Sequence, residues 1–342
     1  MLVYPAEWQR QSSILLAWPH KDSDWSTNLE AVESVYIQLV AAITTCQKAL
    51  IICRDDCHRL SIQRLLKSRN IDLGRLCFFQ LPYNDTWTRD YGPISILKNG
   101  EIHLLDFHFN GWGNKFSHEL DNKVNRELSR LAAWPKDKMQ GLDLILEGGS
   151  IDTNGQGILM TTSSCLLNQN RNKGADKQTI EQYLSNTLGV NKILWLNHGY
   201  LEGDDTDGHI DTLARFCDEH TIAYMSCRDE HDPQYIELKK MQAELHTFRD
   251  HEGKPFRLVP VPLPPAIYDQ KNKRLPASYV NFLFTKKGVL VPVYGDKTAD
   301  SLALKQLQKA MPDRKLIEID CSALIVQHGS LHCITMQIAD GN

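Results

Sequence analysis

Gly203-Asp204-Asp205-Thr206-Asp207-Gly208-His209-Ile210-Asp211-Thr212 sets an imidazole and a carboxylate two residues apart at the expected mouth of a strand. Side chains at i and i+2 leave a strand on one face, so His209 and Asp211 are expected to point together into whatever that strand borders. Cys333 stands at the matching place of a later unit. Carboxylate, imidazole and thiol are the minimum set for covalent attack on a cationic carbon. A guanidinium fits such a set. It is planar and rich in donors, and Asp90 and Asp211 would each take a pair of its N–H groups. A thiol suits the attack better than a hydroxyl because a useful fraction ionises near neutral pH, and a bound cation favours the thiolate further. Cys333 would attack the central carbon, and His209 would protonate the departing ammonia. His209 would then deprotonate water, a change of role that an imidazole pKa of about 6.5 permits.

The elements that must position these groups are legible as a repeat. Val32, Val35, Tyr36, Leu39, Val40 and Ile43 form a helical stripe entered through Ser26-Thr27-Asn28 as cap residues, and further helices are expected near 120–133, 176–188, 233–250 and 300–311. Between them come paired strand signals at 94–97 and 102–107, 150–153 and 158–161, 209–216 and 221–225, and 278–284 and 289–293, with closing strands at 142–146, 192–196, 256–261 and 315–319. That makes four β-β-α-β units. A fifth is expected from both ends of the chain, 331–338 pairing with 14–18. Such units pack radially, so the expected fold class is α/β: a five-bladed pseudosymmetric α/β propeller of ββαβ repeats around a central channel. Residues 1–342 would form a single domain, its fifth unit closed by both termini.

Each hairpin begins beside one polar group: Asp90, Glu147, His209, Asn281 and Cys333, separated by 57, 62, 72 and 52 residues. Taken singly, a loop carboxylate is more often solvated or capping than functional. The shared phase is what speaks for the set. Glu147, in Glu147-Gly148-Gly149-Ser150, would orient His209 or line the channel, the glycines allowing close backbone approach, although a tight turn into the hairpin explains them equally well.

A net charge of −4 and a pI near 6.3 leave no electrostatic footprint for nucleic acid and suit a small cation better. The apolar run from Ile14 to Trp18 meets Pro19 and a polar stretch, so neither a membrane span nor a secretory core fits. Nine cysteines without CxxC spacing, as in Ile51-Ile52-Cys53, read mostly as buried thiols. A cytoplasmic protein is expected.

Trp87-Thr88-Arg89-Asp90-Tyr91-Gly92-Pro93, Glu147-Gly148-Gly149, Gly208-His209-Ile210-Asp211 and Leu331-His332-Cys333-Ile334-Thr335 together resemble the agmatine deiminase and bacterial-type peptidylarginine deiminase family of the guanidine-modifying superfamily. The likeness runs from Pro5-Ala6-Glu7-Trp8 to the C-terminal segment. It implies the five-bladed fold, a Cys-His-two-carboxylate site with no metal or organic cofactor, and hydrolysis of a guanidine to a urea and ammonia through a covalent thiouronium. For agmatine the product is N-carbamoylputrescine, a precursor of putrescine. Agmatine carries an amine at its far end. Asp205, with Asp204 as the weaker candidate, resembles the part of the family's site that meets it, and Trp87 would lie along the aliphatic chain. A solvated acidic turn accounts for Asp204 and Asp205 equally well. His328-Gly329-Ser330-Leu331 departs from the glycine-rich, GGGN-like lead of many members, so the backbone beside Cys333 is open to a different course. A homodimer is usual among similar proteins.

Four alternatives stand beside this reading. Protein-arginine deimination needs the same core with an open channel and a group to greet peptide backbone. Free arginine is a further substrate option. A metal-dependent hydrolase would be built on His209, Asp211 and His332, but His332 neighbours Cys333 and is expected to face the other side of its strand, and no HExxH or CxxC spacing supports a metal. A non-catalytic propeller scaffold would not need Asp90, His209, Asp211 and Cys333 together.

Overall fold

Runs such as Val289-Leu290-Val291 and Leu15-Leu16-Ala17 are fully buried, as strands covered on both faces must be. A computed structural model describes residues 1–341, and in it these runs are the middle strands of five separate sheets in a mixed α/β fold. In every sheet a first strand lies antiparallel to a second, and the second lies parallel to a third. The sets are Ile94–Lys98, Glu101–His108 and Met139–Ile145; Ile151–Thr153, Ile158–Thr162 and Lys192–Leu196; Ala214–Asp218, Thr221–Ser226 and Arg257–Pro262; Leu283–Thr285, Gly288–Val293 and Lys315–Asp320; and Met336–Ala339, Gln11–Ala17 and Lys48–Cys53.

A parallel pair needs a long crossover, usually helical. Val124–Arg130, Lys177–Leu188, Tyr235–Thr247, Lys297–Ala310 and Leu29–Thr44 supply them in turn. The stripe Val32, Val35, Tyr36, Leu39, Val40 and Ile43 is the buried face of the last of these. In the fifth sheet Met336 lies opposite Leu15, so the two ends of the chain share one ladder. Two sheets carry a strand outside the repeat: Leu2–Val3 beside Ile94–Lys98, and Leu76–Gln80 beside Lys48–Cys53 after an extra helix, Asp56–Ser68.

Three local expectations are corrected. Asn28 holds the N-cap position but makes no side-chain capping hydrogen bond, its Nδ2 donating to the Ala323 carbonyl at 3.3 Å. His209 and Asp211 do not lie on a strand, since a 3-10 turn spans Ile210–Thr212 and the strand begins only at Ala214. Cys333 likewise precedes its strand, which starts at Met336.

The shared phase survives, but turns and not strand alternation create it. Asp90 stands four residues before Ile94, Glu147 four before Ile151, His209 five before Ala214, Asn281 two before Leu283 and Cys333 three before Met336. Each turn closes on itself through an amide bonding a carbonyl three residues back: Asp90 to Trp87, Ser150 to Glu147, Thr212 to His209, Asn281 to Ser278 and Thr335 to His332, at 3.0 to 3.3 Å. Such self-satisfied turns let a buried segment end its ladder without orphaned backbone groups, freeing the side chain to face inward.

Gly92 locks two of these turns together. A Cβ there would stand 2.4 Å from the Thr88 carbonyl oxygen and 2.9 Å from Met336 Cβ, in the seam between the turn of Asp90 and the strand that follows Cys333. Its φ of −68° suits any residue, so the cost of a side chain is overpacking alone. Gly92→Ala is expected to destabilise the fold by about 1–3 kcal/mol, read as a lower denaturant midpoint at unchanged slope. An unchanged midpoint would show that the seam has slack.

Candidate active site

Asp90, His209, Asp211 and Cys333 line one cleft of about 570 Å³ of free space, part of it open to solvent, together with Trp87, Trp112, Phe116 and Asp205. The floor is set by Gly149. A Cβ added there would fall 2.6 Å from His209 Nδ1, 2.8 Å from Asp90 Oδ1 and 3.1 Å from Asp211 Oδ2, so three side chains from two units converge on the backbone of another. Gly149 N donates to Asp90 Oδ1 at 3.0 Å, and Trp112 Nε1 donates to Asp90 Oδ2 at 2.9 Å. Asp211 Oδ2 bonds His332 Nδ1 at 2.7 Å, whereas its buried Oδ1 has no partner. Each of these oxygens keeps at least one lone-pair site for a bound cation.

Cys333 is half-buried, and its Sγ lies 3.5 Å from Asn281 Oδ1. The same Asn281 oxygen accepts the His332 amide at 2.9 Å, and Arg89 N bonds the Cys333 carbonyl at 3.1 Å. Asn281 is therefore a support beneath the nucleophile's backbone and lines no part of the cleft. Glu147 is also fully buried and outside the cleft lining, both its oxygens receiving Arg171 Nε at 2.9 Å. Its expected place on the channel wall is thus corrected, because burying an unpaired carboxylate would be prohibitive and the arginine holds it behind His209.

His332 overturns a further expectation. It does not turn away from the site, because residues 331–334 form a turn and its ring reaches Asp211. Trp87 forms a wall: it lies 5.5 Å from Trp25 between ring centroids, and a side chain at Gly329 would strike it at 2.2 Å. That contact explains the glycine kept at 329. At the mouth, Asp204 is occupied by its own loop, accepting Thr206 Oγ1 at 2.6 Å and Gly208 N at 2.7 Å. Asp205, half-buried on the lining, receives no side-chain donor at its carboxylate among the described residues. Asp24, Asp85 and Trp112 also face the cleft, and the sequence reading missed them. Asp85 had one visible signal, its place in Asn84-Asp85-Thr86-Trp87; Trp112 had none beyond flanking glycines.

The charges are arranged for a cation to arrive. Burial, with Asp211 and Asp90 beside it, pushes the Cys333 thiol well above its ordinary value. Burial opposes charge on His209, yet Asp90, Cys165 and Glu147 hold its imidazole protonated well above the usual range. Burial raises Asp90. Asp211 is lowered against burial by His332, His209 and Arg215. The cleft therefore holds a neutral thiol, a proton donor and acidic groups, and a guanidinium would draw the thiol toward thiolate. One cluster has metal-ligand chemistry, Glu147, Cys165 and His209, whose ligand atoms lie within 4.8 Å of one another. It differs from the His209, Asp211 and His332 set, and Arg171 already occupies both Glu147 oxygens with positive charge, which works against a second cation.

The family described as Porphyromonas-type peptidyl-arginine deiminase matches residues 3–339. A Legionella pneumophila protein named, provisionally, as an agmatine deiminase is 33% identical over 336 residues, 97% of this chain and 93% of that protein. Among solved structures, a cysteine-to-serine variant of C. jejuni agmatine deiminase with substrate bound is 40% identical with a TM-score of 0.90, covering 100% of this chain and 97% of that one. An Enterococcus faecalis agmatine deiminase is 27% identical with a TM-score of 0.87, covering 99% and 96%.

Two outcomes follow from the geometry. Gly149→Ala puts a methyl group where three functional groups meet, and is expected to cut kcat/KM by about 100-fold or more with the fold intact by circular dichroism. Retained activity would mean the floor lies elsewhere. Because its pKa is raised, Cys333 should be thiol at neutral pH. Its alkylation by a neutral haloacetamide should therefore rise along a curve centred well above the ordinary thiol value of about 8.5, and a bound guanidinium should move that curve down. A midpoint in the ordinary range refutes this electrostatic account.

Proposed function

This chain belongs to the Porphyromonas-type peptidyl-arginine deiminase family, and on that premise we propose that it hydrolyses the guanidinium of agmatine to N-carbamoylputrescine and ammonia. It is a hydrolase acting on guanidino C–N bonds. Asp90 and Asp211 clamp the planar cation, and its charge drives the Cys333 proton off to solvent. The thiolate attacks the central carbon. His209 gives its proton to the leaving nitrogen, ammonia departs, and a thiouronium remains on sulfur. Water then adds to that carbon as His209 takes its proton, and collapse of the adduct expels sulfur and leaves the urea. Holding sulfur and carbon in line supplies several kcal/mol of the rate gain, and Glu147 steadies His209 from behind.

The observation that carries the choice of substrate is Asp205. It is a half-buried carboxylate without a side-chain donor on the cleft that holds Cys333, the kind of group an alkylammonium tail would satisfy. Burial lifts its pKa to about 6. Trp87 serves the methylene chain between the two charged ends. A peptide substrate would bring backbone and no amine to this spot. Peptidyl-arginine deimination nevertheless remains the second reading, because the family's description names it.

The same reading takes the five sheets as blades around a channel in one domain, supported by the chain's two ends sharing a ladder. It places the protein in the cytoplasm, supported by nine free cysteines, as a reducing compartment keeps them. Among the described residues no helix is long and apolar enough to cross a membrane. A homodimer belongs to it on family resemblance alone.

A ureido-product assay comparing agmatine, free arginine and a peptide with terminal arginine is expected to favour agmatine; greatest turnover on the peptide would replace the substrate. The pH dependence is a second check. Asp205 is ionised above its pKa of about 6, so the KM for agmatine should rise as pH falls through that value. The KM for an alkylguanidine lacking the amine should rise less. Asp205→Asn should raise the agmatine KM about tenfold or more and flatten this difference.

A further inference from the structure

His332 sits beside the nucleophile but outside the cleft lining, almost wholly buried, with each ring nitrogen against a carboxylate. Its Nδ1 lies 2.7 Å from Asp211 Oδ2 and its Nε2 lies 2.8 Å from Glu7 Oε2. A neutral imidazole has one N–H, and would leave a lone pair facing a carboxylate oxygen at the other end. Two acceptors at these distances call for two donors, the imidazolium.

Glu7 is fixed from its other side. Its Oε1 accepts the Phe284 amide at 2.6 Å, and its Oε2 also accepts Arg215 Nη2 at 2.7 Å. Arg215 Nε continues to Asp152 Oδ1 at 3.2 Å, and Arg89 Nη2 stands 3.9 Å from Glu7. Three carboxylates, Glu7, Asp152 and Asp211, thus meet three cations, His332, Arg89 and Arg215, all of them buried. Balance of this kind is the condition on which buried charges persist. Burial opposes ionisation of Glu7, yet Arg215 and His332 hold its carboxyl well below the usual range.

We propose that His332 is a positioning residue, an imidazolium bridging Glu7 and Asp211 that holds Asp211 Oδ2 and thereby presents Oδ1 to the substrate's guanidinium. The role rests on the reading of the cleft given above. One charge-assisted bond to a single oxygen stops the carboxylate from rotating, and Oδ1 is the oxygen left buried without a partner. His332 is also bonded to the nucleophile's backbone, and its own amide shares the Asn281 oxygen with Cys333 Sγ. The clamp and the sulfur therefore keep one register.

The test compares two alkylating agents of the same shape at Cys333, cationic 2-chloroacetamidine and neutral 2-chloroacetamide, by intact mass and peptide mapping. The clamp acts on the first alone. In His332→Gln the side-chain amide stands where Nε2 was and keeps Glu7, losing Asp211, so the amidine-to-amide rate ratio should fall about tenfold or more while the neutral rate stays within about twofold. His332→Asn places its amide where Nδ1 was, toward Asp211, and should recover a good part of the ratio although it is the smaller side chain. A merely structural role would move both reagents together and favour the larger side chain.

Removing a buried charge can unfold a chain, so Glu7→Gln, which touches no atom of the cleft, is measured alongside, with a smaller fall in the same direction expected. Unchanged ratios in the folded variants, or equal ratios for the two histidine replacements, overturn the bridge. Agmatine turnover reports separately. If the intact protein leaves agmatine untouched but the labelling ratios behave as described, the substrate reading fails and the bridge stands. The reverse result sinks the bridge alone.

Discussion

Ionised groups out of reach of water must find their counter-charges within the protein, and the cleft is organised around that constraint. Glu147 is met by Arg171, Glu7 by Arg215 and His332, and Asp90 lies 3.6 Å from His209. What the protein leaves unmatched is as informative as what it pairs. Asp211 Oδ1 is buried without a partner and Asp205 receives no side-chain donor among the described residues, two acceptors at a space lined by indole rings. A ligand with a planar cation at one end and a second charge at the other completes the account. Burial and the two neighbouring carboxylates hold the thiol at the centre protonated, and a cation offsets that same charge.

The scaffold meets the constraint by repetition. A self-closed turn leads into each sheet, and these turns carry Asp90, Glu147, His209 with Asp211, Asn281 and Cys333, so distant segments bring their polar groups toward one region. Gly149 shows how tightly this is drawn. It is the place where the second unit's backbone fits beneath side chains from the first and the third. Short turns on rigid sheets hold such groups more closely than mobile loops would.

Much of this was legible in the sequence, because apolar period and turn chemistry are local. The five hairpins, the closing strands and the crossover helices stand within a few residues of where periodicity puts them, and Asp90, His209, Asp211 and Cys333 do share a cleft. The misses are matters of geometry between segments. Strand alternation suggested that His209 and Asp211 face together and that His332 turns away, but turns have no two-residue period, so the first result held for another reason and the second failed. Glu147 and Asn281 kept the phase of the repeat yet lie behind the cleft, since only the fold reveals that Arg171 and the Cys333 backbone claim them. Trp112 and Asp85 carried little spacing signal, and no property of Glu7 in Pro5-Ala6-Glu7-Trp8 indicates that it meets a histidine 325 residues away.

That last contact, with the ladder joining Gln11–Ala17 to Met336–Ala339, has a consequence for folding. Contacts between segments more than 300 residues apart carry a large loop-closure cost, so they are expected to form late. A chain whose other four sheets have folded then has its acids and its imidazole in place but no seated sulfur. Docking of Met336–Ala339 on Gln11–Ala17 seats the nucleophile in the same event that completes the fifth sheet.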